Sequence, residues 1–274
     1  MTSDRSARKF PLALGRLGGP SVTTAKMTAA RGAAGPALIR PQRHVAAAHA
    51  DAGRRTPAAG LGLDSADVRA RMVGRLRAEG VVHPLVLAAF AAVPRHLFVD
   101  PGLATQAYED TSLPIGHGQT ISKPSVVARM LELLFGAGDL GAVLEIGTGC
   151  GYQAALLARL GKRVVSVERL KPLHDKAREL LAPLRNSRLR LVFDDGMRGH
   201  PPGAPYDSII AAAGGDEIPQ AWLDQLAVGG RLVSPVQQRG AGQVLVVVDR
   251  HADRYTRSVH EAVKFVPLKS GLSG

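Results

Sequence analysis

Cysteine is nearly missing from this chain of 274 residues: Cys150 is the only one. An intrachain disulfide is therefore impossible, and a zinc site built on several thiolates is excluded. Nothing in this composition calls for an oxidising compartment, so the expected location is the cytoplasm. Aromatic residues are also scarce, at 4% with a single Trp, which argues against a surface that stacks unpaired bases. No run of about 18 apolar residues occurs, and no membrane-spanning helix is expected. Acids are short in one region only: residues 1–63 carry ten Lys/Arg against Asp4 and Asp51, a surplus of +8 out of the chain's +12. The basic character belongs mainly to that segment, so no nucleic-acid partner is expected for the rest.

Residues 1–63 are rich in Ala, Gly, Pro and Arg, with Gly19-Pro20 and Gly35-Pro36 interrupting the short apolar runs. They read as a disordered basic extension. An organelle transit peptide, or a start codon assigned too far upstream, would give the same composition. Residues 64–274 hold one globular domain, consistent with 45% apolar content.

Periodicity supplies the elements of that domain. Asp64 or Ser65 can cap a helix through Val68, Met72, Val73 and Leu76 that stops near Gly80, and a second helix is expected from Pro84 to Val93. Pro94 to Pro124 reads as a long irregular stretch, which inside a compact domain usually serves function. Helix and strand then alternate: helix 125–134, strand 142–146, helix 152–160, strand 163–167, helix 172–184, strand 189–193, strand 208–212 and helix 219–226. This is the βαβ rhythm of a parallel sheet with helices on both faces. Strands 231–235 and 243–249 lie too close in sequence for a crossover, so an antiparallel edge is expected, with 263–266 as a further edge segment.

Strand 142–146 runs into Glu145-Ile146-Gly147-Thr148-Gly149-Cys150-Gly151 and then a helix. A dinucleotide fingerprint would place its third glycine one position later, where Tyr152 stands. The G-x-G-x-G spacing behind an acid favours S-adenosyl-L-methionine. Glu145 can attract the ammonium of its methionine part, directly or through water, while Gly147 and Gly149 let the ligand lie close to the backbone. Glu168 ends the next strand, where a carboxylate can take both ribose hydroxyls. Asp195 follows the third and can bond the adenine amino group, with Gly196 giving room for the ring. Each acid taken alone could be a helix cap, a surface residue or a turn former. Their succession at strand ends points to a cofactor, in a Rossmann-like fold of the class I S-adenosylmethionine-dependent type. Cys150 has no base nearby to activate it and reads as packing. The nine histidines show no metal-ligand spacing, and His117 reads as a solvent-facing loop residue.

Several further segments resemble one family: Val93-Pro94-Arg95, Phe98-Val99, Ala107-Tyr108-Glu109-Asp110, Leu113 to Ser122 (LPIGHGQTIS), Leu144 to Gly149, Tyr206-Asp207 and Val263 to Leu268 (VKFVPL). From about Met72 to Leu268 the chain is similar to bacterial protein-L-isoaspartate O-methyltransferases, with Gly118 to Ser122 the most specific part. That resemblance implies methylation of the free α-carboxylate of isoaspartyl residues in damaged proteins. It implies Ser122 as the active-site serine, Thr120 and Gln119 as a loop shared by substrate and cofactor, and Val266-Pro267 beside the bound peptide. It divides the domain into N-terminal helices and substrate loop (64–124), cofactor-binding core (125–235) and C-terminal edge strands (236–274). One departure is Gly214-Gly215-Asp216, where the family commonly has Ala-Pro-Pro.

An acceptor carboxylate is ionised at neutral pH and needs no general base. Ser122 and Thr120 are expected to orient it, on a closing loop hinged at Gly116 and Gly118. No G-x-S-x-G elbow surrounds Ser122 to make it a nucleophile, although it could instead, or also, cap the helix that follows. An RNA or small-molecule acceptor, or a non-catalytic module that recognises damaged chains, are the competing expectations. A monomer is the default.

Overall fold

A computed structural model describes residues 66–184, 186–240 and 242–273. The expected extension at 1–63 and the expected caps Asp64 and Ser65 lie outside the described residues. Helices α1 (Ala66–Ala78) and α2 (Pro84–Ala92) come first. The stretch expected to be irregular contains two short 3-10 helices, Arg95–Phe98 and Pro101–Gln106, and a hairpin of β1 (Leu113–Gly116) and β2 (Gln119–Ile121). His117 and Gly118 at its tip both take positive φ, the primed turn whose twist matches that of the two strands. The expected hinge glycines Gly116 and Gly118 thus lie at a hairpin tip.

Helix α3 (Pro124–Phe135) leads into β3 (Ala142–Ile146), α4 (Tyr152–Leu160), β4 (Arg163–Glu168), α5 (Lys171–Leu181) and β5 (Leu189–Phe193). Then follow β6 (Tyr206–Ala211), α6 (Gln220–Gln225), β7 (Leu226–Gln238), β8 (Gly242–Arg250) and β9 (Tyr255–Val263). The seven-stranded sheet has the order β5-β4-β3-β6-β7-β8-β9, parallel through β7 and antiparallel beyond it.

The central strands are buried on both faces, as their continuous apolar runs require. Val143, Val164, Ile210 and Val233 join the core under α1 to α5, while Leu144, Val165, Ile209 and Leu232 join a second core with Trp222 of α6. Helices therefore cover both faces, unevenly. The expected edge segment at 263–266 is corrected: the edge strand is β9, which ends where that segment was expected to begin. Its exposed polar and charged residues on both sides hide the alternation by which a half-buried strand is read.

The chain moves outward from β3 to β4 and β5, then returns to the other side of β3 as β6. Such a reversal opens a crevice at the carboxyl ends of the strands.

Candidate active site

The cleft at this reversal holds about 100 Å³ of water-accessible space and is partly open to solvent. Its floor is the turn after β3. Gly147, Gly149 and Gly151 take φ of +91°, +57° and +91°, values that L-residues with side chains rarely adopt. The N–H groups of Gly147 and Thr148 both donate to Val167 O, at 2.9 and 3.2 Å, which ties the turn to β4. At Gly151 an added Cβ would lie 2.7 Å from Leu181 Cδ1, so the approach of α5 also requires glycine.

Glu168, Gly147, Gly149 and Gly196 line the cleft as expected. The Glu168 carboxylate accepts the Gly149 N–H at its Oε2 and the Leu170 N–H at its Oε1, each at 2.9 Å. Each oxygen keeps a further lone pair for another donor. Asp195 is not on the cleft wall: Oδ1 accepts from Met197 N at 2.9 Å, and Oδ2 from Gly271 N at 2.6 Å.

Glu145 is fully buried and also does not reach the wall. Its Oε2 accepts the Ser166 hydroxyl at 2.5 Å, and Ser166 Oγ lies 2.6 Å from Thr148 Oγ1. Burial pushes its pKa up to about 8, against the opposing pull of Ser166 and Gln153. Glu145 Oε1 and Gln153 Nε2 are buried without hydrogen-bond partners. The bare backbone of Gly147 and Gly149 and the unused lone pairs of Glu168 suit a ligand that carries vicinal hydroxyls and lies close to the turn, with Gln153 on the wall beside it. The residues present therefore fit S-adenosylmethionine. Burial also raises the pKa of the Cys150 thiol, in keeping with a packing role.

The opposite wall is the β1–β2 hairpin and the segment after it. Gln119, Thr120 and Ser122 line the cleft, and Val266 and Pro267 join them from the C-terminal side. Thr120, Ser122, Val266 and Pro267 also line a neighbouring open groove of about 680 Å³, where Lys123 and Lys264 stand exposed. Ser122 lies at the junction of cleft and groove. Its Oγ has no hydrogen-bond partner among the described residues, and it does not cap α3: the N-cap is Lys123, without a side-chain bond. His117 is exposed at the hairpin tip.

Sequence reasoning missed Gln153, the Ala212-Ala213 pair after β6, and Arg169-Leu170 after β4, all on the wall. The last two pairs follow strand ends beside the topological reversal, a signal that was legible. The Gly214-Gly215 departure is part of the scaffold. Gly214 pairs with Pro267, its N–H donating to Val266 O at 2.9 Å and its C=O accepting from Leu268 N at 2.8 Å. A Cβ on Gly214 would meet Gln243 Nε2 at 2.6 Å, and the same side chain's Oε1 accepts the Phe265 N–H at 2.6 Å.

Comparison with known proteins agrees with this geometry. Residues 67–273 match the family model described as Protein-L-isoaspartate(D-aspartate) O-methyltransferase (PCMT). The protein-L-isoaspartate O-methyltransferase of Methylibium petroleiphilum is 62% identical over 272 residues, covering 97% of each chain. That of Leptothrix cholodnii is 63% identical over 244 residues, covering 87% of this chain and 86% of its own. A solved protein-L-isoaspartate O-methyltransferase superposes with a TM-score of 0.67 at 29% identity, covering 74% of this chain and 67% of that one. A beta-aspartate methyltransferase structure from Plasmodium falciparum, in complex with S-adenosyl-L-homocysteine, shares the fold with a TM-score of 0.64 at 22% identity, over 73% of this chain and 97% of its own. The chain belongs to the protein-L-isoaspartate(D-aspartate) O-methyltransferase family.

Proposed function

We propose that this chain methylates the free α-carboxylate of L-isoaspartyl residues in damaged proteins and peptides, and that Ser122 and Thr120 hold that carboxylate in line with the methyl donor. The observation that carries this reading is the free hydroxyl of Ser122 at the junction of cleft and groove. When bound, S-adenosylmethionine supplies an electrophilic methyl group on a sulfonium that leaves as a neutral thioether.

Glu168 holds the ribose hydroxyls with the lone pairs its backbone partners leave free. Gly147 and Gly149 allow close backbone approach, and Gln119 faces the cofactor from the opposite, hairpin wall. Gly196, on the cleft wall, marks the adenine end, with Asp195 behind it fixing the turn through Met197 and Gly271. Gln153, on the cleft wall, meets the amino-acid end of the cofactor, with Glu145 buried beneath it. At the acceptor, a carboxylic acid of pKa near ~4 is already ionised, so no side chain needs to remove a proton. The protein's task is alignment and removal of water from the attacking oxygen. Val266 and Pro267 carry the peptide backbone along the groove, and Lys123 and Lys264 give its mouth a positive charge suited to an anionic acceptor. The cytoplasm, a reducing compartment that suits a chain with a lone buried thiol, is the proposed site of action.

The test is Ser122→Ala assayed with an isoaspartyl peptide, its normal aspartyl twin and total RNA. Turnover on the isoaspartyl peptide is expected to fall about tenfold or more, in the range of a lost orienting contact, with the cofactor Kd unchanged. Unchanged turnover in a folded variant refutes the role of Ser122, and equal transfer to the aspartyl twin or to RNA refutes the acceptor.

A further inference from the structure

Two sequence motifs take no part in the wall of the cleft: Val93-Pro94-Arg95 and Ala107-Tyr108-Glu109-Asp110. Both end on the segment that carries Ser122. Arg95 is fully buried, and no carboxylate forms an ion pair with it among the described residues. Its guanidinium carbon stands 5.0 Å from the centre of the Tyr152 ring, at the start of α4 just after the glycine turn. Its Nη2 donates to the backbone oxygen of Ser122 at 2.8 Å and more weakly to that of Thr111 at 3.3 Å. Asp110 is close enough to act on this buried cation electrostatically without pairing with it, and what the guanidinium holds is the carbonyls of Ser122 and Thr111.

Asp110 approaches the other side of the same segment. Its Oδ1 accepts the Ser125 N–H at 2.9 Å and its Oδ2 accepts the Ser125 hydroxyl at 2.8 Å. The first turn of a helix needs such an acceptor, and at α3 the local N-cap, Lys123, provides none. A residue from the preceding loop thus does the capping that Ser122 would otherwise be placed to do.

We infer that Arg95 and Asp110 form a clamp around Ser122-Lys123-Pro124 that fixes the Ser122 backbone and keeps its hydroxyl available to the acceptor carboxylate. Both are positioning residues. Arg95 links the acceptor segment to the glycine turn through Tyr152, so the two halves of the reaction are held in register; Asp110 relieves Ser122 of the helix. Without Asp110, the orphaned N–H groups of α3 draw the neighbouring Ser122 hydroxyl inward. This inference rests on the reading that Ser122 orients the acceptor.

The experiment is a mutant cycle on the full-length chain: wild type, S122A, D110A, D110N, R95K and the S122A/D110A double. For each, kcat and KM for an isoaspartyl peptide and the cofactor Kd by calorimetry are measured, with melting to confirm folding. D110A is expected to lower kcat about tenfold, the scale of a sub-ångström to ångström misplacement, with cofactor Kd within about twofold. D110N, which keeps one acceptor oxygen, recovers part of that loss, and R95K, which cannot reproduce the planar fork, lowers kcat with little change in cofactor Kd. In the S122A background the D110A substitution costs less than about twofold, because its route of action is gone. The same loss in both backgrounds, or unchanged kcat in folded D110A, overturns the clamp alone. Unchanged kcat in S122A overturns the reading beneath it and the clamp together. If D110A does not fold, the cycle is run with D110N and R95K against S122A, and a loss undiminished by S122A overturns the clamp.

Discussion

The two walls of the cleft are assembled in different ways. On the cofactor wall, Gly147, Gly149 and Glu168 sit at the ends of two adjacent parallel strands, and the bonds that hold them run between these neighbouring strand ends: Gly147 N–H to Val167 O, Gly149 N–H to the Glu168 carboxylate. On the acceptor wall, Thr120 and Ser122 come from a hairpin and its exit, while Val266 and Pro267 come from beyond the last strand. Beside the backbone pairing of the hairpin and of Gly214 with Val266 and Leu268, their supports are side chains reaching across the fold: Arg95 to Ser122, Asp110 to Ser125, Gln243 to Phe265. The cofactor wall is a property of local backbone geometry, and the acceptor wall of tertiary ties. Damage to the first should appear in cofactor affinity and in stability, damage to the second in turnover and acceptor KM.

The largest effect expected from that division is on Glu168. Replacing it by Ala removes the acceptor of two ribose hydroxyls and of the Gly149 and Leu170 N–H groups. Two charge-assisted hydrogen bonds contribute about 3–4 kcal/mol together, so the cofactor Kd is expected to rise roughly 10²- to 10³-fold by calorimetry. If affinity fell by less than about threefold, the cofactor wall would not be organised around this carboxylate.

Glu145→Gln should move stability, with its sign set by pH. Burial raises the folded pKa from an ordinary 4.5 to about 8, so between those values the folded chain holds a proton that the unfolded chain has released. The stabilisation from this group is complete below about pH 4.5 and is lost as pH rises toward about 8. Gln keeps an acceptor for Ser166 without the titration. The variant should therefore match wild type near pH 4.5 and become the more stable by on the order of 2 kcal/mol near neutrality, measured by urea unfolding across pH. A gap that narrows as pH rises contradicts the assignment.

The same division explains what could be read without coordinates. Strands 142–146 and 189–193 and helix 152–160 have the expected bounds, because continuous apolar runs between glycines leave little choice of element. Gly147, Gly149 and Glu168 were legible for the same reason: a strand end fixes where a side chain or a turn must lie. Asp195 was placed at the right strand end, but its engagement by Gly271 depends on the path of a distant segment that no local pattern encodes. Strand β9 escaped notice because it is an edge with little burial. Ser122 entered through resemblance alone. The ties that define its surroundings, to Arg95 and Asp110, join residues whose contact follows only from the packing of the whole chain.

Gly214→Ala gives the smallest effect and the sharpest test of the acceptor wall. The added Cβ would stand 2.6 Å from Gln243 Nε2. Only the end of a flexible side chain must move, so the fold should lose less than about 1 kcal/mol, as for a mild overpacking that the surroundings can relieve. The cost falls elsewhere: the displaced amide no longer accepts the Phe265 N–H, and the strip Val266-Pro267 that lines the groove is held less firmly. The expected outcome is a rise of about two- to fivefold in KM for the isoaspartyl peptide, the size of one neutral hydrogen bond, with cofactor Kd unchanged. A shift in cofactor affinity instead would mean that the two walls are mechanically one, since this glycine follows directly on Ala212-Ala213, which line the cofactor cleft.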